Sequence, residues 1–460
     1  MRLESARHQK TGQLELPCCG KGEAPRAERS GEAPTASKGN ERSGTATELV
    51  MEQVVQRSNL VVALKRVRKN KGSPGIDGMT VQELPAYLAE HWPSLREQLL
   101  DGTYQPKPVR RHEIPKSGGG VRQLGIPCAL DRFIQQAILQ VLQPLWDPTF
   151  SEHSYGFRPG RRAHDAVCAA QRYIQEGRDW VVDVDLEKFF DRINHDVLMG
   201  RLAQRIADKR LLRLIRRYLE ADIMADGVVM ERHEGSPQGG PLSPLLANVL
   251  LDEVDKELEK RGHGFCRYAD DCNVYVRSER AGKDVMRTLR RLFADLRLRV
   301  NEAKSAVARP WERKFLGYTF WVVKKTGELR RGIAGKALKA MKERVRATTS
   351  RTGGRSVPQV IAELRPYLLG WKAYFRLQER PSLFRELDGW IRHRLRMLQL
   401  KHWKNGPTAY RELRKLGLGE QDAAKVAGNL RSWWRNSHMA LNRALPPSYF
   451  DKLGLPRLAA

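Results

Sequence analysis

Long apolar runs and cysteines at CxxC spacing are both absent from the 460-residue sequence, in which Cys18 and Cys19 are adjacent. No stretch of about 18 apolar residues occurs, which excludes an ordinary transmembrane helix. The six cysteines are scattered and form no CxxC pair, so zinc ribbons and disulfide scaffolds are excluded and a reducing cytoplasm is expected. The first residues also lack the apolar core of a secretion signal.

Acidic residues are few relative to basic ones. Lys and Arg number 82 against 53 Asp and Glu, which gives a formal net charge of +29. A surplus of this size attracts polyanions. Aromatic residues are interleaved with the charge in GWKAYFRL and LKHWKN, which favours nucleic acid as partner because cations hold phosphates and rings stack on bases. A ribosome-associated protein is the alternative, and no membrane partner is expected.

Composition and periodicity divide the chain into segments. Residues 1–47 are rich in Gly, Ser, Pro and charged residues and predict a disordered leader. In the helical pattern that follows, Thr80 to Glu83 form a capping-box signature. Residues 113–127 predict two strands joined by a triple-glycine turn, and PLSPLLANVLLDEVDKELEKRG predicts a helix with Ser243 as N-cap and Gly262 as its stop. After about residue 335 the strand signals end and three basic helices are expected, with weaker helical segments behind them.

Two adjacent acids, Asp270 and Asp271, lie between strand-like runs in HGFCRYADDCNVYVRS. On one continuous strand, neighbouring side chains point to opposite faces and could not converge. If the chain turns at the pair, both carboxylates can face one point. A simple turn without catalytic role is the alternative, because Asp is a common turn former.

A third acid, Asp185, ends the β-branched run DWVVDVD. Carboxylates from separate elements can hold the Mg²⁺ ions of phosphoryl transfer, so Asp185 together with the Asp pair indicates such a site. A helix N-cap before LEKFF is one alternative for Asp185. Asp183 shares its strand face by alternation and is a competing candidate.

Phosphate-binding candidates lie on the glycine hairpin and on one loop. Lys116 and Arg122 flank the triple-glycine turn and could bring positive charge to a triphosphate, although a basic surface hairpin would look the same. The string SPQGGP, residues 236–241, would let backbone approach a nucleotide through its small residues, but it is also an ordinary loop pattern.

Six motifs in order resemble the reverse transcriptases encoded by bacterial group II introns: IPKSGGGVRQLGIP, YGFRPGRRAHDAV, VDVDLEKFFDRINHD, GSPQGGPLSPLLANVLLDEVD, RYADD and NEAKSAVARPWERKFLGYTF. The resemblance spans roughly residues 60–400. It implies an α+β right-hand polymerase, with antiparallel sheet in fingers and palm. The expected domains are an N-terminal helical extension (48–112), fingers and palm (113–330), an α-helical thumb or maturase domain (331–404) and a small helical DNA-binding domain (405–460).

The resemblance also implies the metal and nucleotide ligands. Asp185 matches the first catalytic carboxylate, because Phe190 sits five residues later where the family keeps an aromatic sugar gate, and this spacing decides against Asp183. Asp270 and Asp271 match the paired acids, and the carbonyl of Leu186 is a further expected ligand of the two Mg²⁺ ions.

Other residues are carried over in the same way. Lys116 and Arg122 match the fingers residues that hold the triphosphate, Gln238 lies in the loop that contacts the nascent pair, and Lys304 is a candidate general acid near the leaving phosphate. Arg158 is expected to contact nucleic acid. Arg162 replaces a small residue of its block, which puts that local contact in doubt.

The expected function is RNA-directed DNA synthesis with help in splicing and retrohoming of the intron, in the bacterial cytoplasm at the nucleoid. The expected partners are intron RNA, an RNA template with a DNA primer, deoxynucleoside triphosphates and target DNA, the last held by Trp433 and Trp434. No H-N-H endonuclease motif occurs, which indicates the compact IIC-like subgroup and a primer made elsewhere. A domesticated reverse transcriptase in repair or phage defence, and a non-catalytic splicing factor, are the rival functions.

Overall fold

The computed structural model describes residues 50–115, 121–225, 228–230, 234–438 and 440–459. These residues divide into two compact units, 50–313 and 314–459. Each unit combines helices with antiparallel strand pairs, so the α+β fold class predicted from the sequence is confirmed.

The first unit is built from nine described helices and eight strands. Its helices are α1 (Val50–Val54), α2 (Arg57–Lys69), α3 (Leu84–Leu100), α4 (Ala129–Trp146), α5 (Ala163–Gln175), α6 (His195–Ala203), α7 (Lys209–Glu220), α8 (Ser243–Lys260) and α9 (Glu279–Asp295). Its strands are β1 (Val109–Pro115), β2 (Val121–Ile126), β3 (Trp180–Val184), β4 (Ile223–Ala225), β5 (Val228–Met230), β6 (Gly264–Tyr268), β7 (Asp271–Val276) and β8 (Ala306–Ala308).

One sheet of this unit has the order β2-β1-β4-β5. β1 and β2 pair antiparallel from Arg110 opposite Ile126 to Pro115 opposite Val121, so the hairpin predicted around the triple glycine forms. The glycines themselves lie outside the described residues. The sequence reasoning missed the β4–β5 pair, although IMADGVVM carries an Asp-Gly step between apolar runs, a common hairpin signal.

The other sheet has the order β6-β7-β3-β8, and β7 and β8 both pair antiparallel with β3. Val182 and Val184 of β3 belong to the main hydrophobic core, as do Val274 and Val276 of β7 and apolar residues of α8 and α9. Since strand residues alternate between faces, the residues between these valines lie on the opposite face. On that opposite face Val181 and Tyr275 form a buried apolar pair, and the next pair towards the end of β3, Asp183 and Asn273, is polar.

The two ends of α8 test the start and stop signals that were predicted for this helix from the sequence. Gly262 follows the C-cap with a φ of 69°, and the amide of His263 donates to Leu258 O, so Gly262 ends the helix as predicted. Ser243 was predicted as N-cap, and this was wrong by one residue because Leu242 occupies that position. The Ser243 hydroxyl instead donates to Pro237 O at 2.9 Å, which ties the helix to the preceding loop.

The second unit carries a three-stranded sheet in the order β11-β10-β9 within the described residues. Its strands are β9 (Lys314–Phe315), β10 (Tyr318–Val322) and β11 (Leu329–Ile333); its helices are α10 (Gly335–Thr348), α11 (Val357–Tyr374), α12 (Pro381–His402), α13 (Gly406–Lys415), α14 (Glu420–Gly428), α15 (Trp433–Asn436), α16 (Leu441–Ala444) and α17 (Pro447–Lys452). The three predicted basic helices are α10, α11 and α12. None of the described helices is long and apolar enough to cross a membrane.

Candidate active site

The register between β3 and β7 fixes where the predicted carboxylates lie. Val184 pairs with Cys272, so one residue further along each strand Asp185 comes opposite Asp271. Both acids are on the sheet face opposite to the core valines, because side chains alternate along a strand. Residues 86 positions apart in sequence are therefore brought together at one end of the sheet.

Asp270 lies in the turn between β6 and β7. Tyr268 pairs with Asp271, so Ala269 and Asp270 are the two central residues of a tight hairpin turn. Ala269 has a φ of 59°, in the left-handed region that residues other than glycine rarely adopt. The turn expected at the Asp pair is present, one residue earlier than the pair itself, and it brings Asp270 to the same strand end as Asp185.

Asp185 is fixed by its backbone and leaves its carboxylate half-buried at the surface. Its amide donates to Ser305 Oγ at 3.0 Å, and its carbonyl accepts from the amide of Asn301 at 2.8 Å. Its Oδ1 lies 3.2 Å from Nζ of Lys304. The next helical turn after Asp185 begins at Phe189 and has Lys188 as its N-cap, so the N-cap alternative for Asp185 is wrong. Lys304, the candidate general acid, thus lies directly beside the first acid.

Asp183 has a different set of partners. Arg313 donates to Asp183 Oδ2 through Nε at 2.8 Å and approaches it with Nη2 at 2.7 Å. The side-chain amide of Asn273, oriented to satisfy both groups, donates to Asp183 Oδ1 at 3.1 Å. Both carboxylate oxygens therefore have protein partners, which favours a structural role for Asp183 and supports the preference for Asp185.

The oxygen donors of Asp185, Asp270, Asp271 and the Leu186 carbonyl suit a hard cation such as Mg²⁺. Within the described chain, the Leu186 carbonyl accepts no hydrogen bond. The ammonium group of Lys304 lies beside Asp185, and a metal cation would compete with it for that position. No group of three or more His, Cys, Asp or Glu side chains forms a ready-made metal site among the described residues. The donor set fits Mg²⁺ when substrate phosphates supply the remaining ligands.

Phe190, five residues after Asp185 in the sequence, lies in a short 3₁₀ turn, Phe189–Arg192. Its half-buried ring contacts the rings of Phe157 and Phe189 edge-on, with centroid distances of 6.4 and 5.1 Å. Its carbonyl accepts from the amide of Ser236 at 2.7 Å. This bond attaches the loop 236–241 to the backbone beside the predicted gate.

The loop 236–241 is also bound to β2. The carbonyl of Gln238 accepts from the amide of Gly125 at 3.0 Å. Gly239 has a φ of 142°, and a Cβ there would lie 2.5 Å from the Gly125 carbonyl oxygen, so only glycine fits. The half-buried Gln238 is therefore held against β2 by its backbone, in a loop that is also bonded to the Phe190 carbonyl.

Three further residues were predicted to contact the triphosphate or the nucleic acid: Lys116, Arg122 and Arg158. Lys116 and the side chain of Arg122 are outside the described residues, so their triphosphate contacts stay predictions. Arg158 is 5 % exposed and donates to Asp147 Oδ1 at 2.9 Å and to the Ser151 carbonyl at 2.6 Å. Its position favours a structural role over the predicted contact with nucleic acid.

The tryptophan pair of the second unit is divided between two environments. The ring of Trp433 lies between two cations, with Arg351 at 4.5 Å and Lys401 at 4.9 Å from its centroid. Trp434 is 47 % exposed, and its ring contacts His393. Trp434 is therefore the member of the pair with free surface for a base.

Sequence reasoning missed the residues that support the acids from behind. Ser305, Asn301 and Arg313 come from the segment after α9, and Arg267 comes from β6. Arg267 is part of the motif RYADD, but no local sequence pattern indicates that a charged side chain at this position is fully buried.

The chain matches two family models. The model of the reverse transcriptase (RNA-dependent DNA polymerase) family covers residues 114–320, and the model of the group II intron maturase-specific domain covers residues 338–417. The second match favours an intron-encoded protein over the rival functions named above.

Individual relatives agree with the family models. Protein YkfC of Escherichia coli (strain K12) is 34% identical over 300 residues, which are 56% of this chain and 78% of YkfC. The group II intron-encoded protein LtrA of Lactococcus lactis subsp. cremoris is 37% identical over 196 residues, which are 42% of this chain but 32% of LtrA. A solved partial Cas6-RT-Cas1–Cas2 complex is 27% identical, with a TM-score of 0.35, over 54% of this chain and 42% of that chain. The two family models and the two sequence relatives show that the chain belongs to the group II intron-encoded reverse transcriptases, RNA-directed DNA polymerases that carry a maturase-specific domain.

Proposed function

We propose that the chain extends a DNA primer on an RNA template by nucleotidyl transfer at Asp185, Asp270 and Asp271. The primer 3′-hydroxyl attacks the α-phosphorus of a deoxynucleoside triphosphate, a phosphodiester bond forms, and pyrophosphate leaves. The observation that carries the proposal is the register of β3 and β7, which sets Asp185 opposite Asp271 with Asp270 in the adjoining turn.

The three carboxylates and the Leu186 carbonyl would hold two Mg²⁺ ions. When bound, these ions activate the attacking hydroxyl and stabilise the leaving oxygen. Lys304, whose Nζ lies 3.2 Å from Asp185 Oδ1, would give a proton to the departing pyrophosphate.

The incoming nucleotide would be selected by residues around the same strand end. The Phe190 ring would occupy the space that a ribonucleotide 2′-hydroxyl needs, and Gln238 would contact the nascent base pair. Lys116 and Arg122 would hold the triphosphate, where the fork of Arg122 gives a bidentate contact that lysine lacks.

The second unit would bind the nucleic acids that direct the reaction. The maturase-specific match over residues 338–417 supports binding of intron RNA and a role in splicing and retrohoming. We assign the thumb to residues 331–404 and target-DNA binding to residues 405–460, where exposed Trp434 could stack on a base beside basic neighbours. We further propose that the protein acts at the bacterial nucleoid.

Primer extension with Mg²⁺ tests the proposal directly. Wild-type chain should extend a DNA primer annealed to RNA, and Asp271→Ala should lower the rate by about a hundredfold or more, because a metal ligand is lost. Primer–template affinity should be retained. Asp284→Asn is the matched control, since Asp284 is an exposed acid on α9 that pairs only with Arg287 in the described chain. Near wild-type extension by Asp271→Ala would refute the assignment.

A further inference from the structure

A buried cation lies directly behind the turn that carries Asp270. Arg267 on β6 is 1 % exposed, and its guanidinium group meets the carboxylate of Asp255 on α8. Nε lies 2.8 and 2.9 Å from the two Asp255 oxygens, and Nη2 lies 2.5 Å from Oδ2. Asp255 is itself fully buried, so the charge of Arg267 is balanced inside the protein.

The remaining donors of Arg267 reach beyond this ion pair. Nη1 donates to Asn248 Oδ1 at 2.9 Å and to the carbonyl of Ala269 at 3.1 Å, and Nη2 donates to Ser154 Oγ at 2.7 Å. Ala269 is the first central residue of the tight turn and the residue with left-handed φ. A charged donor therefore binds the strained peptide that immediately precedes Asp270.

The segment around Gly156 closes the turn from another side. The amide of Tyr155 donates to the Arg267 carbonyl at 2.8 Å, and Asn248 Nδ2 donates to the Gly156 carbonyl at 2.9 Å. A Cβ at Gly156 would lie 2.2 Å from the Ala269 amide nitrogen, so this approach requires glycine. The turn is thus held by backbone on one side and by a guanidinium group on the other.

We propose that Arg267 is a positioning residue that fixes the Ala269–Asp270 turn and thereby sets where the Asp270 and Asp271 carboxylates lie. The proposal rests on the function proposed above, and it extends it to a residue that touches neither substrate nor metal. Without the bond to its carbonyl, Ala269 relaxes from the left-handed region. The carboxylates of Asp270 and Asp271 then no longer face the same point. Misplacement by about 1 Å is enough to cost roughly a hundredfold in rate.

Arg267→Lys is the first test, because lysine keeps the charge opposite Asp255 but lacks the fork that reaches Asn248, Ser154 and Ala269 together. We expect kcat to fall about tenfold to a hundredfold, with KM for nucleotide and primer–template affinity within about threefold of wild type. Raising the Mg²⁺ concentration or replacing Mg²⁺ by Mn²⁺, which binds oxygen ligands more tightly, should recover part of the loss.

A second variant removes the ion pair without leaving a buried charge unbalanced. Arg267→Met combined with Asp255→Asn makes both partners neutral, so the fold is retained while the bond to Ala269 is lost. Arg217→Lys is the matched control, since Arg217 of the same unit donates to the carbonyls of Gly102 and Tyr104 and not to the hairpin. The control should keep wild-type kcat and wild-type metal dependence.

Hydrogen exchange of the metal-free proteins gives a readout that does not depend on activity. Both Arg267 variants should exchange the amides of the β6–β7 turn at least severalfold faster than wild type, while α9 keeps its protection. Unchanged exchange at the turn, wild-type kcat in both variants, or equal losses in the Arg217 control would each overturn the proposal. If wild-type chain failed to extend primers, the proposed function would be refuted, whereas the exchange result would still decide the role of Arg267.

Discussion

Nζ of Lys304 lies 3.2 Å from Oδ1 of Asp185, and the two residues come from segments that also share backbone hydrogen bonds. The lysine side chain is 65% exposed and the carboxylate 33%, so the pair contributes little to stability and can be exchanged for another cation. The contact therefore indicates a site that is electrostatically prepared for positive charge.

Lys304→Met should lower kcat for extension by about tenfold to a hundredfold, because the pyrophosphate leaves without a proton donor. KM for the nucleotide should stay nearly unchanged. Steady-state kinetics across pH measures both quantities, and Lys283→Met, an exposed lysine of α9 that pairs with Glu279, is the control. A raised KM at unchanged kcat would make Lys304 a phosphate-binding residue instead.

Phe190→Val should raise ribonucleotide incorporation by about tenfold or more while deoxynucleotide extension continues, because the space for a 2′-hydroxyl opens. Competition between the two nucleotides in primer extension gives the ratio. Phe189→Leu is the control: Phe189 is 2 % exposed and belongs to the core, so its substitution should lower stability and leave sugar selectivity as it was. Equal selectivity in wild type and Phe190→Val would place the gate elsewhere.

Arg297→Gly should stabilise the protein by about 0.5–1 kcal/mol. Arg297 follows the end of α9 with a φ of 57°, and the Leu298 amide donates to Phe293 O, the bond pattern that favours glycine at this position. Gly262 occupies the equivalent position after α8 with a φ of 69° and open space around a Cβ. Gly262→Ala should therefore destabilise by about 1 kcal/mol. Thermal denaturation should show a higher Tm for Arg297→Gly and a lower Tm for Gly262→Ala. Tm shifts of the same sign in both variants would contradict the preference for glycine at this position.

Stability should fall on acidification through His393. Burial lowers the pKa of His393 from 6.5 to about 4, so the unfolded chain binds more protons between these values and stability is lost as pH falls through that window. The loss should reach about 2 kcal/mol by pH 5. Thermal denaturation from pH 7 to 5 should show a smaller decline in His393→Leu than in wild type. His438→Gln, which changes an exposed neighbouring ring, should keep most of the wild-type decline. Parallel curves for wild type and His393→Leu would refute the assignment.

Local sequence patterns predict most of the helices and strands, although not the β4–β5 pair, and they give the order of the chemical groups along the chain. α10 begins and ends where its amphipathic pattern does, and Gly262 ends α8, because helix periodicity and the left-handed preference of glycine are local properties. Asp185, Asp270, Asp271 and Phe190 could likewise be named, because their motifs resemble those of the family. Local patterns do not predict which of these groups meet in space.

Which side chains meet depends on contacts between segments that are distant in the sequence. Asp183 and Asp185 lie on the same face by strand alternation, so the sequence pattern does not distinguish them. They differ in their partners: Arg313, 130 residues away in the sequence, binds Asp183, whereas Lys304 lies beside Asp185. In the sequence, Arg267 is one of 82 Lys and Arg residues, yet its burial against Asp255 directs its other donors to the turn that carries Asp270. Strand register and the burial of charge depend on partners distant in sequence, so no window of the sequence contains the information that sets them.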